Sequence, residues 1–242
     1  NQMWRNFLIS DAYEPGSTFK LLTTAIALEE GVTDLDSTYT CTGSIEVAGQ
    51  IIHCWRSENP HGTQTLKQAV GNSCNPVFVQ LATEIGIEKF YDYMATFGIT
   101  GKTGIDFPGE GTAILQDEDS AGPVGLATIG FGQGVAVTPI QLITAVSAFG
   151  NDGKLMQLVK ELRDSDGNTV ETFDEKVVRQ VVSKETADEL CDIMQYVVDE
   201  GGGGTAKVEG YKVGAKTGTA NKVNDEGTGY LEDTYSSCIA MA

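Results

Sequence analysis

Two polar motifs almost two hundred residues apart, Ser17-Thr18-Phe19-Lys20 and Lys216-Thr217-Gly218-Thr219, place the strongest constraint on how this chain folds. Each carries side chains that do their chemistry in company: a hydroxyl and an amine in the first, an amine and two hydroxyls in the second. If they act together, the C-terminal third must return to the segment where the chain began. Helix-compatible apolar positions follow the first motif and a strand-like run, Tyr211 to Ala215, precedes the second. The closure expected is therefore a helix laid against a strand.

The pattern between them is consistent with that return. Pro15-Gly16 is a turn signal, and Phe19, Leu21, Leu22, Ala25, Ile26 and Leu28 suit a largely buried helix ending at Glu30-Gly31. From there to about residue 65 no clean period appears, with short strands expected over 44–52. Asn75-Pro76 and Thr138-Pro139 each read as an N-cap followed by proline in the first helical turn. The glycines of Gly130 to Gly134 mark turns or close backbone approaches. Strand-like runs at 155–162 and 177–182 precede a helix from about 184 to 199, which Gly201 to Gly204 ends. A hairpin follows, with strands at 210–219 and 234–242 around an acidic loop at 224–233.

Thirty-four acidic against 16 basic side chains give a net charge of -18, which argues against nucleic acid or anionic lipid as a partner. No run of 18 apolar residues is present in the sequence. The start on Asn1 and the stop within the strand-like run Tyr235 to Ala242 read as cut ends, so both termini of the domain are expected to be truncated.

In the first motif, residues i and i+3 share a helix face, so Ser17 can act as nucleophile with Lys20 as its base. Lysine is a base only when neutral, and burial or a neighbouring cation, for which Lys216 is a candidate, favours that state. A capped helix with a surface lysine is the alternative. Ser73-Cys74-Asn75 lies just before a helix, where Ser73 can relay a proton and Asn75 can donate its amide to a substrate carbonyl; Asn75 as a plain helix cap is the competing reading. In the second motif Lys216, Thr217 and Thr219 suit a carboxylate, and Gly218 is expected to keep the wall of a peptide-binding groove low. The backbone N–H groups of Ser17 and Thr219 would form an oxyanion hole. A simple turn is the alternative.

Taken in order, Ser17 to Lys20, Ser73 to Asn75 and Lys216 to Thr219 resemble the active-site set of penicillin-binding proteins. Trp4-Arg5-Asn6, Tyr13 to Ser17, Ala69 to Pro76, Gly132-Gln133-Gly134 with Thr138-Pro139 and Gln141, Asn151-Asp152-Gly153 and Gly210 to Ala220 resemble the class B, monofunctional group. The likeness is to its Gram-positive elongation-type and sporulation-type members. It implies an α+β fold, an antiparallel sheet flanked by helices plus a mainly helical lobe. Residues 1–242 would then be the central part of one transpeptidase domain, with the lobe and cleft over 31–150 and the return to the sheet over 151–242.

The resemblance further implies a D,D-transpeptidase that crosslinks peptidoglycan stem peptides through an acyl-enzyme on Ser17, needs no catalytic cofactor and is a target of β-lactams. Lys20 carries over as base, Ser73 as relay, Asn75 as amide donor, and Lys216, Thr217 and Thr219 as carboxylate recognition. Family members sit on the extracytoplasmic face of the membrane on an N-terminal anchor, with membrane partners in cell-wall synthesis. A D,D-carboxypeptidase, a serine β-lactamase, a β-lactam sensor or a non-catalytic scaffold could keep the same motifs.

Five cysteines cannot all pair within the chain. Cys41, Cys54 and His61 crowd one segment and suit structural zinc, with Asp34 or Asp36 as a fourth ligand. A Cys41–Cys54 disulfide and free buried thiols are the alternatives.

Overall fold

The computed structural model describes residues 5–105, 107–157, 161–223 and 229–242. Trp4 and positions 224–228 of the acidic loop lie outside the described residues. Asn6 caps the short helix Phe7–Ser10 (α1) by accepting from the Leu8 amide. A 3-10 turn, Gly16–Thr18, then runs into Lys20–Glu29 (α2). Every residue of α2 from Lys20 to Ala27 is buried, and the two threonines among them are satisfied by donating to the Gly130 and Lys20 carbonyls. Burial of Leu21, Leu22 and Ile26 contributes about 1.5–3 kcal/mol each.

The stretch without a clean period is a set of short strands: Thr38–Cys41 (β1), Ser44–Val47 (β2), Gln50–His53 (β3) and Gly62–Thr65 (β4). β2 and β3 form a hairpin turning through Ala48 and Gly49, both at positive φ, and β1 pairs antiparallel with β4. The lobe expected to be mostly helical from residue 31 is therefore helical only from Leu66. Its helices are Leu66–Gly71 (α3), Asn75–Ile85 (α4), Ile87–Thr96 (α5), Glu118–Ile129 (α6) and Pro139–Ser147 (α7), with Ile114–Leu115 (β5) pairing with Val135–Ala136 (β6). Thr65 and Thr138 open α3 and α7 through capping boxes completed by Gln68 and Gln141.

Lys154–Met156 (β7) pairs antiparallel with a later strand, Val177–Gln180, and the two between them, Glu161–Arg163 (β8) and Thr169–Thr172 (β9), pair with each other, which makes Val177–Gln180 β10. Ser183 caps Lys184–Asp199 (α8), whose Leu190, Ile193, Met194 and Val197 form the buried face. The chain closes with Gly214–Val223 (β11) and Tyr230–Met241 (β12), antiparallel from Gly214 opposite Met241 to Val223 opposite Tyr230. The first strand of this hairpin thus starts and ends four residues later than its sequence pattern indicates.

The mixture of helices and antiparallel strands bears out the α+β expectation, with the strands arranged as two-stranded pairs. α2 packs against α4 on the lobe side and against α8, which in turn carries β11. A Cβ on Gly214 would lie 2.9 Å from that of Met194, so glycine lets β11 sit tightly on α8. The two distant motifs thus meet through α2, α8 and β11. No helix among the described residues is long and apolar enough to cross a membrane.

Candidate active site

Ser17 lies in the 3-10 turn rather than in the first turn of α2, as its spacing to Lys20 had suggested. In 3-10 geometry residues i and i+3 eclipse, so the turn still sets Ser17 and Lys20 on one side. Glycines lock the turn in place. Gly16 has φ +54, and a Cβ there would lie 2.5 Å from the Thr219 carbonyl oxygen. On Gly132, at φ +84, a Cβ would lie 2.0 Å from the Gly16 oxygen, and the Gly16 amide donates to the Gly132 carbonyl at 2.9 Å. Gly218 completes the contact, since its Cβ would meet the Pro15 oxygen at 2.7 Å. The expected role of Gly218 as a low groove wall is therefore corrected: its missing side chain allows β11 to press against the nucleophile turn.

Lys20 Nζ is fully buried and hydrogen-bonds to the Ser73 carbonyl at 2.8 Å, Ser73 Oγ at 3.1 Å and Asn75 Oδ1 at 2.7 Å. It forms no hydrogen bond to Ser17 among the described residues. Lys216 Nζ lies 3.2 Å from the same Ser73 Oγ and donates to the Thr217 carbonyl at 2.9 Å. One hydroxyl thus joins the two amines and ties the three motifs together.

Burial, and then the charge of Lys216, hold the Lys20 amine well below its ordinary pKa; the Cys74 and Cys54 thiols act in the opposite direction. Lys216 is pushed down to about 8, also chiefly by burial. A neutral Lys20 donates two hydrogens, to the Ser73 carbonyl and Asn75 Oδ1, and keeps its lone pair for a hydroxyl. A cationic Lys216 has a third N–H left for an anion. The pair can therefore supply a base and a cation a short distance apart.

Ser73 adopts φ 53, a left-handed conformation costly for a residue with a Cβ, and this aims its hydroxyl between the lysines. Asn75 is the first residue of α4, Cys74 occupies the N-cap position, and no side chain caps the helix. The Asn75 amide nitrogen instead donates to the His53 carbonyl at 3.3 Å, so the plain capping role is excluded.

Ser73 and Asn75 border a cavity of about 500 Å³ that Ser17, Thr217 and Thr219 also line, with the two lysines buried behind its wall. On β11 the alternation turns Thr217 and Thr219 outward while Lys216, Gly218 and Ala220 are buried. Trp55, Asn72, Phe131 and Gln133 also line the cavity; none of them was assigned a role in the site from sequence, although Asn72 and Gln133 lie in motifs singled out there. Trp55 is 66% exposed and held by an Nε1 bond of 2.8 Å to the Asn72 carbonyl. A large aromatic flanked by Cys54 and Arg56 in a polar loop was the signal that could have found it. Glu14 braces the Gly132–Gly134 loop by accepting from the Gly134 amide at 3.0 Å and the Tyr230 hydroxyl at 2.9 Å.

The cysteine-rich segment differs from expectation. Asp34 is turned into its own loop, accepting from the Asp36 amide and the Ser37 hydroxyl, and Asp36 is exposed on the same loop, so neither carboxylate joins Cys41, Cys54 and His61. The side chain that joins them is Cys74. No disulfide joins any of the five cysteines, so the Cys41–Cys54 bridge is not formed.

The whole chain, residues 1–242, matches the family described as penicillin binding protein transpeptidase domain. It is 47% identical over 236 residues to stage V sporulation protein D of Bacillus subtilis, covering 96% of this chain and 36% of that protein. It is 31% identical over 239 residues to penicillin-binding protein PbpB of Mycolicibacterium smegmatis, covering 94% of this chain and 36% of that protein. The chain therefore spans about a third of the length of these relatives. Among solved structures it is similar to penicillin-binding protein 3 of Mycobacterium tuberculosis complexed with ampicillin, with TM-score 0.87, 28% identity, and 98% of this chain and 54% of that one covered.

Proposed function

Because this chain belongs to the penicillin-binding protein transpeptidase family, we propose that Ser17 is the nucleophile of a D,D-transpeptidase that crosslinks peptidoglycan stem peptides. The observation that carries this reading is the Ser73 hydroxyl, 3.1 Å from Lys20 Nζ and 3.2 Å from Lys216 Nζ at the wall of the cavity that Ser17 borders.

Ser17 Oγ attacks the carbonyl of the penultimate D-alanine and its proton passes to neutral Lys20. The Ser17–Lys20 hydrogen bond this needs is not made in the free chain and forms once substrate is seated. The oxyanion is held by the Ser17 and Thr219 amides, an arrangement in which one donor is worth about 3–4 kcal/mol of barrier. Collapse breaks the peptide bond, and the proton returns from Lys20 through Ser73 to the leaving D-alanine. An acceptor amine then attacks the Ser17 ester and gives up its proton to Lys20; as the new peptide bond forms and the ester C–O bond breaks, Lys20 returns that proton to the departing Ser17 Oγ. Lys216, Thr217 and Thr219 hold the terminal carboxylate of the donor stem, the anion this buried cation can accept in a chain of net charge -18. Beyond its pairing with β12, β11 has no other strand partner among the described residues, so its outer edge suits an extended peptide.

β-Lactams carry the same carboxylate beside a strained amide, and a relative of this fold has been captured with ampicillin. They would acylate Ser17 and leave slowly, because no aspartate or glutamate lines the cavity among the described residues to activate a hydrolytic water. The same observation favours transpeptidation over β-lactamase activity. The whole protein would work on the outer face of the bacterial membrane among cell-wall synthesis partners, with a sporulation role suggested by its Bacillus relative. A thioester surrogate of the stem peptide tests the reaction: added D-amino acid should divert the acyl group into a transfer product. Hydrolysis alone, unaffected by acceptor, would reject the transpeptidase reading.

A further inference from the structure

Cys41, Cys54, His61 and Cys74 converge from four places: the end of β1, the residue after β3, the loop before β4 and the N-cap of α4. Their donor atoms all lie within 4.8 Å of one another. The three thiols are at most 2% exposed, and Cys54 Sγ is 3.5 Å from His61 Nδ1. His61 Nε2 is buried with no hydrogen-bond partner. We propose that these four residues bind one structural zinc ion.

The chemistry of the set favours metal over a disulfide. Any disulfide among the three cysteines would leave a third thiol and a buried imidazole unused, whereas a tetrahedral ion takes all four donors. Zinc prefers nitrogen and sulfur ligands, and at about 2.1–2.3 Å from the ion they stand about 3.5–3.8 Å apart. The 3.5 Å edge between Cys54 and His61 already has that length. Four protein ligands close the coordination shell, so the ion has no place for substrate and acts on structure alone.

The ion would hold two walls of the cleft. Cys74 stands between Ser73 and Asn75, and the Asn75 amide reaches the carbonyl of His53, next to Cys54. Trp55 follows Cys54 directly, borders the cavity and stacks edge-on against His61 at 5.6 Å between ring centroids. Tying Cys54 and His61 to Cys74 therefore fixes the strained Ser73 loop and Trp55 with one ion. This consequence for acylation rests on the function proposed above; binding of the metal does not.

The test is metal analysis of the chain purified without chelator, followed by cobalt substitution and absorption spectroscopy. The expected result is one zinc per chain and a cobalt spectrum with thiolate charge-transfer bands and tetrahedral d–d bands. Cys41→Ser and His61→Ala should each weaken zinc binding by more than about tenfold, the loss that outer-shell partners alone can produce. Cys191→Ser, outside the cluster, should leave it unchanged. Ser17→Ala should keep the metal and lose penicillin labelling, which separates failure of this proposal from failure of the function. If the ligand variants do not fold, the cobalt spectrum of the unaltered chain still decides. A folded, fully reduced chain that takes up neither zinc nor cobalt overturns the proposal, as does a native disulfide between any two of these cysteines with no metal uptake after reduction.

Discussion

Replacing Gly132 by alanine tests how the nucleophile turn is held. Gly132 at φ +84 and Gly210 at φ +85 share a backbone conformation, but a Cβ on Gly210 meets nothing within 4 Å while one on Gly132 lies 2.0 Å from the Gly16 oxygen. Gly210→Ala should therefore cost only the left-handed penalty, about 1–2 kcal/mol. Gly132→Ala adds a clash whose relief needs a backbone shift of roughly 1 Å, and overpacking of that kind costs about 1–3 kcal/mol more. The difference between the variants, measured by denaturant unfolding, isolates the steric cost. The same shift moves Ser17, and a displacement near 1 Å should slow acylation by about 100-fold. Stopped-flow acylation by a chromogenic β-lactam measures that loss. Equal stability of the two variants, with wild-type acylation by Gly132→Ala, would refute the argument that the Gly16–Gly132 contact positions the nucleophile.

Ser73→Gly relieves the left-handed backbone while removing the shared hydroxyl; it should unfold about 1 kcal/mol later than Ser73→Ala, yet both should acylate roughly 100-fold more slowly than wild type. Equal stability of the two would show that Ser73 carries no strain. The rate of acylation should rise with pH as Lys20, lowered by burial and Lys216, loses its proton, then fall above pH about 8 as Lys216 loses the charge that holds the carboxylate. Lys216→Arg stays cationic and should abolish the alkaline fall, whatever it does to the maximum rate; an unmoved fall would assign that limb to another group. Trp55→Ala should slow acylation about tenfold through lost aromatic contact at the cleft wall, with circular dichroism unchanged. A rate equal to wild type would remove Trp55 from the site.

The chemistry of the cleft was legible because it resides in residue types whose pairing is meaningful at any separation: Ser17 with Lys20, Ser73 with Asn75, Lys216 with two threonines. α2 and α8 were legible from apolar positions near their observed bounds, and Thr138-Pro139 from its capping chemistry. The strands over 38–65 were only partly visible: β1 alternates exposed and buried residues but for four residues only, and β2 and β3 bury no residue fully, so none of them leaves a readable period. Gly218 was misread because its partner, the Pro15 carbonyl, is far away in sequence and leaves no local trace. Cys74 was absorbed into the Ser73–Asn75 motif, and nothing in the spacing of Cys41, Cys54 and His61 indicates that the N-cap of α4 comes to rest beside them. Asp34 looked suitable by proximity in sequence, but local turn bonds had already claimed its carboxylate.

The central claim is that Ser17, served by Lys20, Ser73 and Lys216, forms an acyl-enzyme. Its most direct measurement is mass spectrometry of the chain after reaction with benzylpenicillin, followed by peptide mapping. The account predicts a single added penicilloyl group on the peptide containing Ser17, stable over the time of analysis and absent from Ser17→Ala. A folded chain that gains no such group, or carries it on another residue, would contradict it.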